Sequence, residues 1–496
     1  MLEKTDMKAK LGKGEFKAVK EKLSQELFLL EKEIKKAEIP VVVIIEGYGA
    51  SGKGMIISEL IAPLDPRSYK VFSTGAADSA QSRKPLLWRF WMDIPSRGKL
   101  AFLDRSWYQL TAAERFDGEI AQGELKRRYH SINILERQLS DDGYLVLKFF
   151  LQITKKEQKE RFEKLQKDKN TAWLVNEKDK KRCLHFEEYS KYIDDMLENT
   201  STQNAVWNVV PADDRRYAAA EVLKITVGAL KKRLSGLEHT EKAKVTKEVV
   251  ADSFMKTKFS GLDKIKPFIE MNDEEYKKEL EKQQNKLSKL QNRLYLEKVP
   301  VVIAFEGWDA AGKGGAIRRV TDKMDPRGYE AVGVSAPDAL SLSKHYLWRF
   351  WRELPKTGHV TLFDRTWYGR VLVERVEGFT SEKRWREGYQ EINEFERELR
   401  ENGVILIKFW LQIDKDEQLK RFEERQSNPE KQWKITDEDW RNREKWEQYE
   451  IAANEMISNT STDFAPWNII EGNNKKYARI KILKIINKTI EKSLNK

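Results

Sequence analysis

The chain has 496 residues, with 92 Lys and Arg against 80 Asp and Glu, so its formal net charge at pH 7 is +12. The content of 40% hydrophobic and 10% aromatic residues excludes a chain that is disordered throughout, because it is enough to build a core. The single cysteine, Cys183, excludes an intramolecular disulfide framework and a cysteine-ligated zinc cluster. The basic surplus favours an anionic partner.

No targeting or membrane segment is predicted near the N-terminus. Met1–Lys13 is charged and lacks the apolar stretch of a signal peptide. The apolar run Val41–Ile45 is too short to cross a bilayer. The five histidines have no ligand-like spacing, so no zinc site is expected. We therefore expect a cytoplasmic protein without a membrane partner.

The chain contains two copies of one domain. Glu46–Gly54 corresponds to Glu306–Gly314 at an offset of 306 − 46 = 260 residues, and no gap is needed elsewhere. The same offset relates Asp65–Arg67 to Asp325–Arg327, Trp88–Trp91 to Trp348–Trp351, Asp104–Arg105 to Asp364–Arg365, and Trp207–Asn208 to Trp467–Asn468. This duplication predicts a first domain at 1–235, a polar linker at 236–266 and a second domain at 267–496.

Strands and helices alternate along each copy. In the second copy, helices are predicted at Tyr276–Leu296 and Gly314–Met324. Strands are predicted at Val301–Phe305, Tyr329–Ser335, Val360–Phe363, Val404–Leu411 and Trp467–Ile470. Apolar strands that alternate with helices indicate an α/β, doubly wound domain in which helices cover both faces of a parallel sheet.

A phosphate-binding loop follows the first strand of each copy. Gly307-x4-Gly312-Lys313 has the Walker A spacing, in which backbone N–H groups and the lysine surround phosphate oxygens. Gly314 stands where Ser or Thr normally offers a hydroxyl to Mg²⁺, so the metal needs another ligand. Asp309 in the loop and Asp364 at the end of the Val360–Phe363 strand are the candidates. A turn-forming role is the alternative for Asp309.

Four segments of the second copy carry a family resemblance. Gly307–Gly315, Asp325–Gly328, Phe363–Arg370 and Glu374-Arg375 resemble the polyphosphate kinase 2 family, and the resemblance covers nearly all of both copies. It implies a P-loop kinase fold similar to thymidylate kinase, with a helical lid. It also implies Mg²⁺-dependent phosphoryl transfer between inorganic polyphosphate and a nucleotide. The two-copy arrangement is similar to the class II members, which convert AMP to ADP.

The resemblance assigns roles to matching positions. Lys313 and the loop would bind the donor phosphates, while Asp309 and Asp364 would hold Mg²⁺ and orient the acceptor. Glu374 would either bind metal-bound water or pair with an arginine, and Lys408 would contact phosphate unless it is a snorkelling edge lysine. The remaining phosphate-contacting positions are Gly312, Gly314, Gly315, Arg318, Arg365, Arg370, Arg375, Arg421, Arg425 and Lys434.

A basic stretch, Lys420–Lys445, lies where the resemblance places the lid. As a group its cations would close over polyphosphate, although a solvated helix face is an equal explanation for any single member. The aromatic segment Trp348–Trp351 is interpreted as packing between helix and sheet rather than base stacking.

The two copies differ at the positions that matter for catalysis. Asp309 corresponds to Gly49, which can bind no metal. Further cations are lost where Arg318, Arg319, Arg370, Arg425 and Lys434 become Ser58, Glu59, Leu110, Leu165 and Leu174. The first copy keeps Lys53, Asp104, Arg105 and Arg115 and can still hold an anion. The hypothesis is that residues from about 270 onward form the enzyme and the first copy is structural or regulatory.

These residues are compatible with three classes of function. A polyphosphate-dependent AMP kinase is favoured over an ATP-dependent P-loop kinase of a nucleotide or other small molecule, because the loop hydroxyl is missing and the lid is basic. A non-catalytic module that binds nucleic acid is the least favoured, since no nucleic-acid motif is present. The paired copies also suggest a homo-oligomer.

Overall fold

The computed structural model describes residues 1–75, 77–236, 244–430 and 432–495. Part of the predicted linker, at 237–243, and Lys431 in the predicted lid lie outside the described residues. The side chain of Lys434 is likewise not described.

The chain divides into two compact units. The first unit comprises Met1–Ala76, Arg89–Val250 and Ala339–His345. The second unit comprises Ala77–Trp88, Ala251–Asp338 and Tyr346–Lys496. Each unit therefore includes a short segment of the other repeat. The predicted limits of the two domains and of the linker stay a prediction.

The first unit is built on a five-stranded parallel sheet in the order β2-β3-β1-β4-β5. Its strands are β1 (Val41–Gly47), β2 (Tyr69–Ser73), β3 (Leu100–Asp104), β4 (Leu145–Gln152) and β5 (Trp207–Pro211). The α-helices of the first repeat are α1 (Lys13–Lys36), α2 (Lys53–Ile61), α3 (Trp88–Asp93), α4 (Ala112–Phe116), α5 (Gln122–Asp141), α6 (Lys155–Lys167), α7 (Glu177–Leu184), α8 (Phe186–Thr200) and α9 (Arg215–Leu234).

The second unit has the same sheet, in the order β7-β8-β6-β9-β10. Its strands are β6 (Val301–Gly307), β7 (Tyr329–Gly333), β8 (Val360–Asp364), β9 (Ile405–Gln412) and β10 (Trp467–Glu471). The α-helices of the second repeat are α10 (Asp273–Leu296), α11 (Lys313–Thr321), α12 (Ala339–Leu342), α13 (Trp348–Arg352), α14 (Val373–Val376), α15 (Glu382–Glu401), α16 (Lys415–Gln426), α17 (Asp437–Glu444), α18 (Trp446–Thr460) and α19 (Lys475–Leu494).

The apolar strand sequences explain this architecture. Val301–Phe305 of β6 is buried along its whole length, as expected of a central parallel strand covered on both faces. The α/β fold class and all five predicted strands of the second copy are confirmed, with ends that differ by one or two residues. Trp348, Phe350 and Trp351 are buried, which confirms the packing interpretation.

The sheet order places the site. β6 lies between β8 and β9, so the chain leaves β6 at the point where strand order reverses. In open parallel sheets this point opens a crevice at the carboxyl ends of the strands. The P-loop follows β6 there, and Asp364 of β8 pairs in register with Phe305. Within the described residues, no helix is long and apolar enough to span a membrane.

Candidate active site

At Gly307 and Gly312, the P-loop of the second repeat adopts a backbone conformation that favours glycine. Gly307 has φ +140°, and a Cβ there would lie 2.5 Å from the carbonyl oxygen of Leu411. Gly312 has φ +105° and directly precedes α11. Lys313 folds back over the loop, and its Nζ donates to the carbonyls of Gly307 (2.8 Å) and Trp308 (3.2 Å). The loop N–H groups and the start of α11 thus face the crevice, where anions bind favourably.

Asp309 is held by two side chains from other elements. Arg365 donates to its Oδ1 at 2.9 Å, and Asn442 of α17 donates to its Oδ2 at 2.9 Å. Gln418 donates to its backbone carbonyl at 3.1 Å. Burial alone would raise the pKa of this carboxyl, but nearby Lys313 and Arg365 and the hydrogen bonds lower it below the ordinary value. Asp309 is therefore ionised at neutral pH and available as a hard oxygen ligand.

Asp364 is the last residue of β8, and Arg365 follows it beside the loop. A Cβ at Gly314 would lie 3.6 Å from Asp364 Oδ2, so this carboxylate sits next to the position of the missing Walker A hydroxyl. Arg365 has φ +65°, which is rare for a side chain other than glycine, asparagine or aspartate. Its guanidinium also lies 3.8 Å from Glu438, and neighbouring carboxylates raise its pKa. Strained backbone of this kind clusters at functional sites.

Two cavities meet at this point. The first, called here the large cleft, has a volume of about 710 Å³ and runs along the P-loop under the lid. The second, called the small pocket, has a volume of about 80 Å³ and an aromatic wall that includes Trp308, Trp410 and Tyr449. Asp309, Arg365 and Glu438 line both cavities. A long anion in the large cleft and a second molecule in the small pocket would therefore meet at Asp309.

Many of the predicted residues line the large cleft. They are Asp309, Gly312, Lys313, Gly314, Gly315, Asp364, Arg365 and Arg425. Arg318 is exposed on α11 and does not line either cavity. The other predicted side chains that the structure describes point elsewhere, and each has a physical reason.

Lys408 is fully buried inside the sheet, on β9 between β6 and β10. Its Nζ donates to Tyr368 Oη (2.8 Å), Glu396 Oε2 (2.7 Å) and the carbonyl of Thr460 (2.7 Å), which uses all three donor hydrogens. Both the predicted phosphate contact and the alternative of a snorkelling edge lysine are therefore wrong. Lys148 makes the equivalent contacts in the first repeat, so this buried network belongs to the fold.

Arg421 supports the loop from behind instead of contacting phosphate. Its Nη1 donates to the carbonyls of Ala310 (2.9 Å) and Ala311 (3.0 Å) in the P-loop. Its Nη2 donates to the carbonyls of Gly472 (2.7 Å) and Asn473 (3.0 Å) after β10. Because the side chain is buried and these donors are occupied, the predicted phosphate contact is wrong and Arg421 is a positioning residue.

Arg370 and Glu374 pair with each other, 3.0 Å apart, and neither lines the two cavities. Arg370 also donates to Thr380 Oγ1 at 2.7 Å and lies 4.1 Å from the ring centroid of Tyr346. This pairing agrees with the arginine alternative for Glu374. Since Arg370 lines neither cavity, its phosphate contact stays a prediction.

Arg375 is also turned away from the cavities. It donates to Glu455 Oε2 (2.6 Å) and Tyr389 Oη (3.0 Å), and its guanidinium lies 4.1 Å from the centroid of Trp385. The structure therefore places Arg375 in an ion pair and a cation–π contact, and its phosphate contact stays a prediction.

The ion pair between Arg370 and Glu374 has a counterpart in the first repeat, but there the guanidinium comes from a different element. In the first repeat, position 370 is Leu110, and Arg128 on α5 binds Glu114 Oε2 at 2.5 Å instead. Arg128 corresponds to Gly388, where a Cβ would lie 2.8 Å from Arg370 Cγ. Arg128 therefore gives Glu114 the charged partner that Leu110 cannot provide.

Exchanging residues between the two repeats tests whether Arg370 serves mainly as the charged partner of Glu374. We expect Arg370→Leu to lower the free energy of unfolding by about 1–3 kcal/mol, because Glu374 loses its charged partner. Adding Gly388→Arg, which copies the first repeat, is expected to restore most of that loss in a denaturation-based double-mutant cycle. A double variant that regains stability but has lost most transfer activity would instead show that Arg370 acts on substrate.

Some lid residues face the large cleft, and others hold the lid in place through ion pairs. Arg425 lines the large cleft, as predicted for a phosphate-facing cation. Arg441 and Lys445 pair with Glu377 at 3.4 Å and 2.9 Å, so they fix α17 rather than contact the cleft. Lys434 lies in this stretch, but its side chain is outside the described part of the chain.

Some site residues were not predicted. Asn442 had no signal beyond being a polar residue in the lid. Glu306 is the penultimate residue of β6, is buried, and accepts a hydrogen bond from Thr366 Oγ1 at 2.8 Å. Burial raises the pKa of Glu306. Its repetition as Glu46, which accepts from Ser106 Oγ at 2.9 Å, was a detectable signal.

Comparison with known proteins places this geometry in a family. The family model for polyphosphate kinase 2 matches residues 10–237 and 270–496, which is one match to each repeat. The chain belongs to the polyphosphate kinase 2 family. A polyphosphate:AMP phosphotransferase of Pseudomonas aeruginosa is 37% identical over 497 residues, covering 100% of both chains. A polyphosphate:AMP phosphotransferase of Pseudomonas syringae pv. tomato is 37% identical over 468 residues, covering 94% of this chain and 93% of that one.

Solved structures agree with this assignment to the polyphosphate kinase 2 family. The crystal structure of a polyphosphate kinase 2 from Pseudomonas aeruginosa PA01 matches with a TM-score of 0.86 at 36% sequence identity. The match covers 100% of this chain and 99% of that chain, so the two-repeat architecture is common to both.

Proposed function

We propose that the chain is a polyphosphate:AMP phosphotransferase, which moves the terminal phosphate of inorganic polyphosphate to AMP and forms ADP at the second repeat. The observation that carries this proposal is the meeting of the large cleft and the small pocket at Asp309 and Arg365. The long cleft along the P-loop suits a phosphate chain, and the small pocket offers an aromatic wall against which part of a nucleotide can pack. The names of the full-length relatives support the same donor and acceptor.

The donor set of the site fits Mg²⁺. Asp309 and Asp364 are carboxylates that line the same cleft as the P-loop. Within the described residues there is no cluster of three or more His, Cys, Asp or Glu side chains that could hold a metal by itself. Mg²⁺ commonly takes one or two carboxylates and completes its shell with water and substrate phosphates. Bound there, Mg²⁺ would neutralise charge on the phosphate oxygens.

The chain's own residues then position the reactants. The P-loop N–H groups and Lys313 hold the donor phosphates, and Arg425 extends the positive surface along the large cleft. Arg365 stands between the two cavities, where charge develops on the phosphate that is transferred. The lid helix α17 covers this point through Glu438 and Asn442 and limits access of water, which would otherwise hydrolyse the donor.

Contacts seen in the structure must exchange when ligands bind. Lys313 now donates to loop carbonyls, and Asp309 is bound to Arg365 and Asn442. A phosphate chain offers Lys313 and Arg365 a stronger anionic partner, and this frees the carboxylate of Asp309 for Mg²⁺. The lid is connected to this exchange because Asn442 lies on it.

A substrate profile tests the proposal. Purified protein is incubated with Mg²⁺, long-chain polyphosphate and AMP, and ADP is followed beside a matched reaction with ATP as donor. We expect ADP formation that requires polyphosphate, AMP and Mg²⁺ together. ADP formation that occurs from ATP and not from polyphosphate would overturn the proposal and indicate an ordinary P-loop kinase.

The location and assembly of the protein remain predictions. A homo-oligomer is expected from the paired copies, and light scattering on the purified chain measures its mass directly. A cytoplasmic location is expected from the sequence, and fractionation of the host cell measures it.

A further inference from the structure

The first repeat has a pocket at the same place as the small pocket. This first-repeat pocket has a volume of about 50 Å³ and lies between the P-loop Gly47–Lys53 and helix α8. Arg105 and Tyr189 line it, as their counterparts Arg365 and Tyr449 line the small pocket of the second repeat. The function proposed above gives this pocket no role.

The loop beneath the pocket keeps an anion-binding conformation. Ala50 and Gly52 have φ values of +58° and +104°, against +61° and +105° at Ala310 and Gly312. Lys53 Nζ donates to the carbonyls of Gly47 (3.1 Å) and Tyr48 (3.2 Å), as Lys313 does in its own loop. The loop is followed by the nine-residue helix α2.

The first repeat has Gly49 where the second has the proposed metal ligand Asp309, and neighbouring side chains lie close to this position. A Cβ at Gly49 would lie 3.0 Å from Phe162 Cζ and 3.3 Å from Asp179 Oδ1, so an aspartate there would crowd both side chains. On the lid helix, Glu438 and Asn442 of the second repeat correspond to Lys178 and Arg182. At these three positions the first repeat lacks two negative charges and carries two additional positive charges, which disfavours a divalent cation.

Polar groups in the pocket wall lack partners. Among the described residues Arg105 makes no ion pair, whereas Arg365 pairs with Asp309. Arg182 donates through Nη2 to Asp117 at 2.6 Å, but its buried Nε has no partner within the described chain. Burial and the nearby Arg105 charge lower the pKa of Lys53, although the carboxylates of Asp104, Glu46 and Asp179 act to raise it. Three cations, Lys53, Arg105 and Arg182, line the pocket against two carboxylates, Glu46 and Asp179.

A buried amide gives a second, independent sign of a ligand. Gln158 is 2% exposed and lines the pocket, and its Oε1 has no hydrogen-bond partner in the described structure. In the second repeat, Gln418 Oε1 accepts from Arg443 at 3.2 Å. Position 443 corresponds to Cys183, which offers Gln158 no such donor. An unpartnered buried acceptor of this kind is costly unless a ligand or water pairs with it.

The side of the loop that faces the large cleft in the second repeat is covered by apolar residues here. Leu165 replaces Arg425 and packs with Ala50 against the buried cluster of Phe162, Val175 and Cys183. A long phosphate chain therefore finds no cation at this position, while the first-repeat pocket keeps its cations and an apolar wall. At about 50 Å³ the pocket has room for a phosphate group, so an organic group attached to that phosphate must extend beyond the pocket.

We propose that the first-repeat pocket binds the phosphate of a monoester without metal, and that AMP binds there through its phosphate without being phosphorylated. Lys53, Arg105 and the loop N–H groups bind the phosphate, and Gln158 accepts a hydrogen bond from the ligand. The choice of AMP among monoesters rests on the proposed function, but the phosphate-binding part of the inference does not.

The test measures AMP binding to the full-length protein in EDTA, where no Mg²⁺-dependent transfer can occur. Matched variants separate the two pockets, Arg365→Gln for the second repeat and Arg105→Gln for the first. We expect Arg365→Gln to keep a metal-independent site and Arg105→Gln to weaken that site by about tenfold or more. Lys53→Met is a second first-repeat variant in case Arg105→Gln does not fold. Hydrogen–deuterium exchange should show AMP-dependent protection of residues 47–54.

Defined outcomes overturn the inference. Equal binding to the unmodified protein, Arg105→Gln and Lys53→Met, with no protection of 47–54, would show that the pocket is not a site. Binding at 47–54 that is displaced by tripolyphosphate and not by AMP or inorganic phosphate would reject the monoester. The assay contains no Mg²⁺ and measures binding, so its results can be interpreted even if the proposed transferase activity is absent.

Discussion

Replacing Asp309 with asparagine is expected to lower the rate of phosphate transfer from polyphosphate to AMP by at least about 10²–10³-fold. The carboxylate is a proposed Mg²⁺ ligand, lines both cavities and holds Arg365 at 2.9 Å. Asparagine keeps the shape and an acceptor for Arg365 but removes the charge. The measurement is the initial rate of ADP formation at saturating Mg²⁺, with thermal denaturation to verify that the variant is folded.

A companion variant in the first repeat controls for this prediction. Gly49→Asp introduces the missing carboxylate at the equivalent position, yet we expect no second active site. The Cβ would approach Phe162 Cζ to 3.0 Å and Asp179 Oδ1 to 3.3 Å, so the substitution should reduce stability. An Asp309→Asn protein with normal transfer would refute the metal assignment, and activity gained through Gly49→Asp would refute the account of the first repeat.

Replacing Lys408 with methionine is expected to lower the free energy of unfolding by about 3–5 kcal/mol, because it leaves Glu396 as an uncompensated buried charge. Lys408 and Glu396 are both fully buried and 2.7 Å apart. Glu396 also accepts from Tyr368 Oη at 2.5 Å and Trp367 Nε1 at 3.1 Å. The loss is measured by urea denaturation, followed by a probe that reports on the second unit.

The double variant Lys408→Met with Glu396→Gln is expected to recover most of that loss. No buried charge then remains, and the glutamine oxygen can still accept from Tyr368 and Trp367. A double variant that is no more stable than Lys408→Met would contradict this explanation.

The stability lost in Lys408→Met should depend on pH. Burial already raises the pKa of Glu396 in the intact pair, and removal of Lys408 raises it further. A carboxyl whose pKa is higher in the folded than in the unfolded state stabilises the fold below the unfolded pKa. That stabilisation is lost as the pH rises through the folded pKa. The deficit should therefore be smallest in acid and increase toward neutral pH, and a deficit that increases in acid would reject the charge argument.

Much of the fold follows from patterns along the sequence. The offset between Glu46 and Glu306 reveals the duplication, and the apolar runs give the strands, because parallel strands covered on both faces must be apolar throughout. The assignment of 77–88 to the second unit and of 339–345 to the first was not predictable in this way. These short segments pack according to tertiary contacts that leave no periodic signal.

The part of the candidate site that lies on the P-loop and at the ends of the strands was predictable from the sequence. Asp309, Lys313, Asp364 and Arg365 follow from the loop and from the ends of two adjacent strands, and the structure brings them to one cleft. A charged residue within an apolar strand was a weaker guide to the site. Lys408 illustrates the difficulty, because a buried ion pair and a phosphate contact both require a cation at a strand.

Arginines were the least predictable residues of the site. Arg421 supports loop carbonyls, and Arg370 and Arg375 pair with acidic side chains. A guanidinium binds carbonyls, carboxylates and phosphates with the same donors, so its partner depends on where the long side chain points. Sequence position alone does not specify that direction.

The most direct test of the central claim compares one substitution at equivalent positions of the two repeats. Asp364→Asn and Asp104→Asn make the same chemical change at the end of β8 and of β3. Each full-length variant is assayed for ADP formation from polyphosphate and AMP with Mg²⁺. We expect Asp364→Asn to lose nearly all activity and Asp104→Asn to keep activity close to that of the unmodified protein. Loss of activity in Asp104→Asn with retention in Asp364→Asn would contradict the assignment of catalysis to the second repeat.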